Sequence, residues 1–283
     1  MFALRQSMGV LLRMKISFII LHYNQSCSIE ETLYSVVYSM LKYNNLEIIV
    51  LDDFSDVDEY FKLIYVTENI KRKFNINIFV FRTTSNTKNQ SKLRNIGIKI
   101  SSGNYIAFLD GDDYINPLSL YEIYQLLNRS KCDVCFPSRI LGWSMNGHKS
   151  YNKLVVNPYS LETYACGISN YIIKKNTIIK FKILFDEDTY NFYAEDLYFF
   201  CLLMYVIKKY KITFCSYDND WYYCGLKRKS STFVNNNAKN LNKLYWINYH
   251  KFILSKFDDS VILQYSFNTS VKFLKDMLYN KRM

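Results

Sequence analysis

Three aspartates, Asp110, Asp112 and Asp113, crowd around Gly111 in the segment FLDGDDYINP, directly after an apolar run. Carboxylates this close repel one another, so either a shared cation or a turn open to water keeps them together. Two carboxylates one residue apart at a strand end can aim at one divalent ion. A hard ion such as Mg²⁺ or Mn²⁺ then holds diphosphate oxygens on its far side. Glycine between them lets the backbone approach a ligand closely. Upstream, LDDFSD offers Asp52 and Asp53. They suit an imide N–H of a base or ribose hydroxyls, or else this cluster caps the following helix. Lys88, Lys92 and Arg94 open KNQSKLRNIGIKI, where a helix N-terminus favours anions or where the basic residues form an ordinary solvated face. Downstream, Glu195 and Asp196 sit in FYAEDLYFF. Burying adjacent carboxylates costs energy unless they are paired or used, and desolvation moves a pKa towards the range of a general base. A pair bound to Lys or Arg at a helix end explains the same residues.

The elements that must position these clusters show as two alternating periods. ISFII (16–20), LEIIVL (46–51), INIFVF (76–81), YIAFLD (105–110) and DVCF (133–136) predict buried strands. Between them the pattern predicts helices over Ile29–Tyr43, Asp58–Phe74, Asn89–Ser101 and Pro117–Asn128. Leu33, Val36, Val37, Met40 and Leu41 give the first an apolar face, and Pro117 suits the first turn of the last. Such alternation implies right-handed crossovers and a mainly parallel sheet covered on both faces, with ligands at the carboxyl ends of the strands. LHYN, DDFSD, FRTTSN and DGDD each follow a strand, so four loops predict one site on one rim. After Phe136 the regularity fades until FYAEDLYFFCLLMYVIKK, which predicts a helix with Leu197, Phe200, Cys201 and Met204 on one face.

A chain of 283 residues allows one large α/β domain with a smaller helical addition. Hydrophobic residues are 49% and prolines only three, which excludes a disordered or low-complexity chain. The net charge is +11, and the second part is the more basic: residues 151–283 carry 19 Lys/Arg against 11 Asp/Glu, residues 1–150 carry 17 against 14. Such a surface favours phosphates in nucleotides, lipid diphosphates, nucleic acid or anionic membranes. The seven cysteines are expected to be reduced and buried. No apolar run approaches the roughly 20 residues that span a bilayer. Residues 1–13 read as an upstream-start or non-native segment ahead of the first strand.

The order and spacing of the four clusters are specific. YN after strand one, DDFSD after strand two, RNIGIKISSGNYIAFLDGDD and then AED together resemble the inverting GT-A glycosyltransferases of family two, over roughly residues 14–235. The resemblance implies an α/β, Rossmann-like GT-A fold: a central mainly parallel mixed sheet flanked by helices, with a nucleotide-binding half over 14–116 and an acceptor-binding half over 117–235. It implies that Leu21, Tyr23, Asn24 and Asp53 hold the base, with Asp52 supporting the loop. Arg94 and Asn95 would help orient the acidic loop and the diphosphate, and Lys92 would contact the nucleotide sugar. Asp110 would meet the ribose, Gly111 would let the backbone approach, and Asp112, with Asp110 beside it, would hold Mg²⁺ or Mn²⁺, while Asp113 positions the loop. Asp196 would take the acceptor proton and Glu195 would orient it, with inversion at the sugar carbon. DWYYCGLKRKSST resembles the family's aromatic and basic segment, where Trp221, Tyr222 and Tyr223 would stack on a sugar and Lys227, Arg228 or Lys229 close over the diphosphate; core packing explains the aromatics equally. Three positions depart from the pattern: Leu21 replaces a proline, Phe54 replaces a glycine, and no histidine follows Glu195–Asp196 as a third metal ligand.

The donor implied is a nucleotide sugar, UDP-hexose or UDP-N-acetylhexosamine. The acceptor is a glycan, expected on a lipid diphosphate, in bacterial O-antigen, capsule or lipooligosaccharide synthesis. Residues 236–283 predict amphipathic helices with Lys239, Lys243, Lys251 and Lys256 beside apolar residues, suited either to an anionic membrane surface or to packing on the domain. The expected location is the cytoplasm, peripheral at the inner face of the plasma membrane. Two other classes compete: a nucleotidyltransferase acting on a sugar phosphate, and a basic nucleic-acid-binding module that stacks bases on its aromatics. Neither accounts for the ordered carboxylates, so no nucleic-acid partner is expected.

Overall fold

The apolar runs form β1 (Ile16–His22), β2 (Leu46–Asp52), β3 (Asn77–Arg82) and β4 (Tyr105–Asp110), paired in parallel in the order β3-β2-β1-β4. The structure, a computed structural model, describes residues 14–40, 45–143, 149–153, 168–188, 195–224 and 256–257. Every residue of β1 and β2 is buried, as continuous apolar strands in a covered sheet must be. Between the strands lie α1 (Ser26–Met40), α2 (Val57–Phe74) and α3 (Gln90–Ile100), with α4 (Pro117–Ser130) and, further on, the short α5 (Lys175–Phe181) after β4. The first helix starts at Ser26 rather than Ile29, because the Ser28 hydroxyl and backbone N–H both donate to the Gln25 carbonyl and set the first turn. Pro117 opens α4, and the Asn116 side chain accepts from the Leu118 N–H at 3.1 Å.

Alternate strand residues feed two cores. Phe18, Ile20, Ile48 and Val50 pack with α1 residues Leu33, Val36 and Val37 and α4 residues Leu120 and Ile123. Ile19, Leu21, Ile49 and Leu51 pack on the other face with Leu93 and Ile98 of α3 and with α6 (Glu195–Tyr210). Phe200, Cys201 and Met204 of α6 are buried as the pattern predicts; Phe199, Leu203 and Ile207 are buried as well, so core surrounds more than one side of this helix.

Beyond β4 the sheet continues through β5 (Tyr114–Ile115), β6 (Val134–Trp143), β7 (Lys149–Lys153), β8 (Ile172–Lys174) and β9 (Phe214–Cys224). The order is β4-β8-β6-β9-β5, with β7 on β6, in a mixed sheet that is 9-stranded among the described residues. The β6–β9 pair is parallel; β4–β8, β6–β8, β6–β7 and β5–β9 are antiparallel. The DWYYC segment is therefore a strand, and its register sets Tyr223 opposite Tyr114 and Tyr222 opposite Ile115, just beyond the acidic turn.

One expectation is corrected: Cys27 is exposed, not buried, while Cys135 and Cys201 are free and buried. Cys132 and Cys215 lie side by side with Cα atoms 6.2 Å apart, because neighbouring β6 and β9 bring together residues 83 apart in sequence. Segment 1–13, Lys227 and Arg228, and the tail apart from Lys256 and Phe257 lie outside the described residues. Phe257 is buried against the rings of Tyr198 and Tyr205 on α6, and Lys256 Nζ lies 3.5 Å from Asp186. No helix among the described residues is long and apolar enough to cross a membrane.

Candidate active site at the carboxyl edge of the sheet

Strand register brings the predicted loops to one rim. Leu21 lies across from both Leu51 and Asp110, His22 from Asp52, and Asp52 from Arg82. The acidic turn begins one residue past β4, where the Asp113 N–H donates to the Asp110 carbonyl at 3.0 Å and the Thr32 hydroxyl to the Gly111 carbonyl at 3.1 Å. Of the three aspartates, Asp113 is buried, Asp112 is half-buried, and the Asp110 side chain is 42% exposed. The three are therefore unequal, and the two with access to solvent flank Gly111.

At the other end of the rim the LDDFSD carboxylates are tied down. Asp52 is fully buried; its Oδ1 lies 2.8 Å from His22 Nδ1 and accepts from the Ser55 hydroxyl, and its Oδ2 accepts from the Ser55 N–H at 3.2 Å. Burial alone would push its carboxyl up, but the bonds from His22 and Ser55 outweigh that and hold it below the usual range. Asp53 accepts from the Thr87 N–H at 2.8 Å and the Lys88 N–H at 3.0 Å, folding the loop after β3 onto the loop after β2. Asn24 accepts from the Asp56 N–H at 2.9 Å and donates to the Asp56 carboxylate at 3.1 Å, joining the first loop to the second. Asp56 is the N-cap of α2 by position, yet its side chain makes no capping bond. Tyr23 is 47% exposed beside it.

Phe54, where a glycine is usual, has φ 61°, a left-handed conformation glycine adopts at no cost. Its ring lies 4.8 Å from the Arg82 guanidinium, which also sits 4.3 Å from the Tyr60 ring and donates to the Ser55 carbonyl. Sequence reasoning passed over Arg82 and His22 as individuals. Their signal was position, since each is the last residue of a strand that ends on this rim.

On α3, Asn89 caps the helix by accepting from the Lys92 N–H at 3.0 Å, and Lys92 itself is exposed. Arg94 is 2% exposed and forks between Asp110 Oδ1 and Glu195 Oε1, each at 3.0 Å. Burial would lower its pKa, but the charges of Asp110 and Glu195 raise it, so it stays a cation. Asn95 pairs with the Phe185 backbone, donating to its carbonyl at 2.9 Å and accepting from its N–H at 3.0 Å. Asp196, half-buried, follows Glu195 in the first turn of α6. Trp221 and Tyr223 fall on β9, whose backbone adjoins the turn.

The donor set suits a divalent cation carried jointly with a substrate. A Mg²⁺-type ion takes one or two carboxylates and fills its shell from phosphates and water, and Asp110 and Asp112 can supply those carboxylates. Among the described residues no group of three or more His, Cys, Asp or Glu is arranged as a self-sufficient cage.

A parallel sheet whose carboxyl rim carries an acidic turn, extended by antiparallel strands and met by a second carboxylate pair, defines a GT-A-type α/β protein. The sequence profile of glycosyl transferase family 2 matches residues 17–215, and the chain belongs to that family. It is 25% identical over 207 residues to the poly(ribitol-phosphate) β-N-acetylglucosaminyltransferase TarP of Staphylococcus aureus, covering 72% of this chain and 53% of that protein. It is 34% identical over 121 residues to a poly(ribitol-phosphate) β-glucosyltransferase of Bacillus spizizenii, covering 43% of this chain and 18% of that one. The match thus spans about half or less of these relatives' length. The structure of residues 1–349 of S. aureus TarS in complex with UDP-GlcNAc shares the fold, with TM-score 0.64 and 21% identity over 94% of this chain and 72% of that one.

Proposed function

We propose that this chain transfers a hexose or N-acetylhexosamine from a UDP-sugar to a hydroxyl of a phosphate-bearing glycan acceptor, with inversion. The observation that carries this reading is the convergence of Asp110 and Glu195, from motifs far apart in sequence, on one buried guanidinium. It supports reading the acidic turn as the donor side and the carboxylate pair as the acceptor side of one cleft. Leu21, Tyr23, Asn24 and the Asp52–Asp53 loop form the base end of the cleft, and Asp110 meets the ribose. Asp112 and Asp110 would hold Mg²⁺ or Mn²⁺, and such an ion would supply positive charge against the departing nucleoside diphosphate. Asp196 takes the proton of the acceptor hydroxyl as that oxygen attacks C1 from the face opposite the leaving group; Glu195 orients it. The C1–oxygen bond to the diphosphate breaks, the new glycosidic bond forms, and the proton ends on Asp196.

The net charge of +11 supports an anionic acceptor, and so do relatives named for poly(ribitol-phosphate). A polyol phosphate or a lipid diphosphate fits that chemistry, which sets the enzyme in bacterial surface glycan synthesis at the inner face of the plasma membrane. The test is a panel of nucleotide sugars with Mn²⁺ and both acceptor types, scored for nucleoside diphosphate release. Asp112→Asn and Asp196→Asn should each lower turnover by roughly 10²-fold or more. Wild-type turnover in both variants, or release of pyrophosphate from a nucleoside triphosphate instead, would overturn the reading.

A further inference from the structure

Arg94 joins the two sides of the rim through one rigid group. Its side chain is 3% exposed, and it donates from Nη1 to Glu195 Oε1 at 3.0 Å and from Nη2 to Asp110 Oδ1 at 3.0 Å and Gln90 Oε1 at 3.3 Å. A guanidinium is planar, so its two N–H edges keep a fixed relation, and a shift of one carboxylate is felt by the other. The partners differ in access: the Asp110 side chain is 42% exposed and that of Glu195 14%. A ligand can reach Asp110 far more readily than it can reach Glu195.

The next residue reinforces the link. Asn95 fastens the Phe185 backbone in both directions and also donates to Glu187 Oε1 at 3.1 Å, while Asn89 donates to the Glu187 carbonyl at 3.0 Å. The Phe185 ring lies parallel to Phe199 of α6 with centroids 4.1 Å apart, and 5.4 Å from the Arg94 guanidinium. Consecutive residues of α3 therefore hold the first residue of α6 and a ring packed on Phe199, the fifth.

Building on the transferase reading, we infer that Arg94 is a positioning residue that couples donor occupancy at Asp110 to the placement of Glu195, and with it of Asp196. Three of its donors are paired with Glu195, Gln90 and Asp110 and its side chain is 3% exposed, so its contribution lies in alignment of the acceptor-side pair and not in affinity for the diphosphate. Alignment of a reacting group by even one ångström carries large rate effects, which gives such a link a kinetic consequence.

The test uses the full chain, wild type, Arg94→Lys and Glu195→Ala. Lysine keeps the charge and loses the fork; alanine removes the acceptor, cuts the same link from the other end and remains informative if Arg94→Lys fails to fold. Donor affinity is measured by calorimetry with the UDP-sugar, turnover by nucleoside diphosphate release, and local order by amide hydrogen exchange. In the wild type, donor binding should slow exchange both at the acidic turn and at the start of α6. In either variant the slowing at the turn should persist and that at α6 vanish, with kcat down roughly 10- to 100-fold and donor Kd within about threefold. The double variant should fall no further than the worse single one. Donor-induced protection at α6 that survives in the variants, or a lost donor affinity with kcat retained, overturns the coupling. A wild-type chain that binds and turns over no nucleotide sugar overturns the transferase reading and this inference with it.

Discussion

Gly111 approaches Leu21 so closely that a Cβ on the glycine would sit 2.7 Å from the Leu21 carbonyl oxygen. The same Cβ would meet Gln25 Oε1 at 2.7 Å, but that amide ends a flexible side chain and can swing away. The Leu21 carbonyl cannot, since β1 is paired on both sides at that residue. Gly111→Ala must therefore move the acidic turn. We expect a stability loss of about 1–3 kcal/mol by denaturant unfolding and at least a roughly tenfold loss of donor affinity by calorimetry. Wild-type affinity in this variant would show that the turn can work without the close approach.

Gly97 tests how closely α3 must lie on β1. Alanine in a helix interior is ordinarily better than glycine by about 1 kcal/mol. Here its Cβ would stand 2.5 Å from Ile19 Cγ2, in a side chain that is 1% exposed. Overpacking of that kind costs about 1–3 kcal/mol, so the clash outweighs the propensity and Gly97→Ala should lower the melting temperature. Combined with Ile19→Ala, it should lose less than the sum of the two single changes. An increase in melting temperature for the single variant would mean that α3 has room to spare.

The parallel half of the sheet was legible because its physics is local. Strands buried on both faces read as unbroken apolar runs, and the capping residues Asn89 and Asn116 and the proline at 117 mark helix starts without tertiary information. The extension was not. β8 is three residues long, and β9 runs through Ser216, Asp218, Asn219 and Asp220 before reaching Trp221, so neither carries a periodic signal. Their pairings depend on partners far away in sequence, as do the contact of Cys132 with Cys215 and the ion pair of Arg94 with Glu195. The site's residue types could be read from motif order; the buried links among them, such as Asp53 holding the Thr87 and Lys88 amides, needed the fold.

Phe54 is the departure from the family pattern with a measurable energetic balance. Its left-handed φ of 61° costs about 1–2 kcal/mol, and contact of its ring with the Arg82 guanidinium returns about 0.5–1 kcal/mol. Phe54→Gly removes both terms and adds unfolded-chain entropy of about 0.4–1 kcal/mol. The sum predicts a variant within about 1 kcal/mol of wild type by urea unfolding. A larger loss would mean that the 45% exposed ring has an energetic role beyond the Arg82 contact.

Glu47 should govern part of the acid sensitivity of the fold, at the edge of the sheet opposite the site. It is 4% exposed; Oε2 accepts from the Ser102 N–H at 2.7 Å and the Ser17 hydroxyl at 2.5 Å, and Oε1 accepts from the Ser102 hydroxyl at 2.6 Å and Lys15 Nζ at 3.3 Å. Burial pushes its carboxyl up, but the bonds from Ser102 and Ser17 and the Lys15 charge prevail and hold it below its usual 4.5. A carboxyl depressed on folding contributes stability that is fully present above 4.5 and disappears as pH falls through the folded value. Glu47→Gln keeps the shape but loses the ionic acceptor, at a cost of about 2 kcal/mol at neutral pH. Urea unfolding of both proteins across a pH series should show that difference shrinking as pH falls below 4.5 and through the folded value, as the wild-type carboxyl takes up its proton. Asp52 and Asp133 are also held below their usual range, so the wild type alone loses stability in acid for several reasons. Subtracting the two curves isolates Glu47, and a difference that stays constant down to the lowest pH at which both proteins fold would assign its role to shape instead of charge.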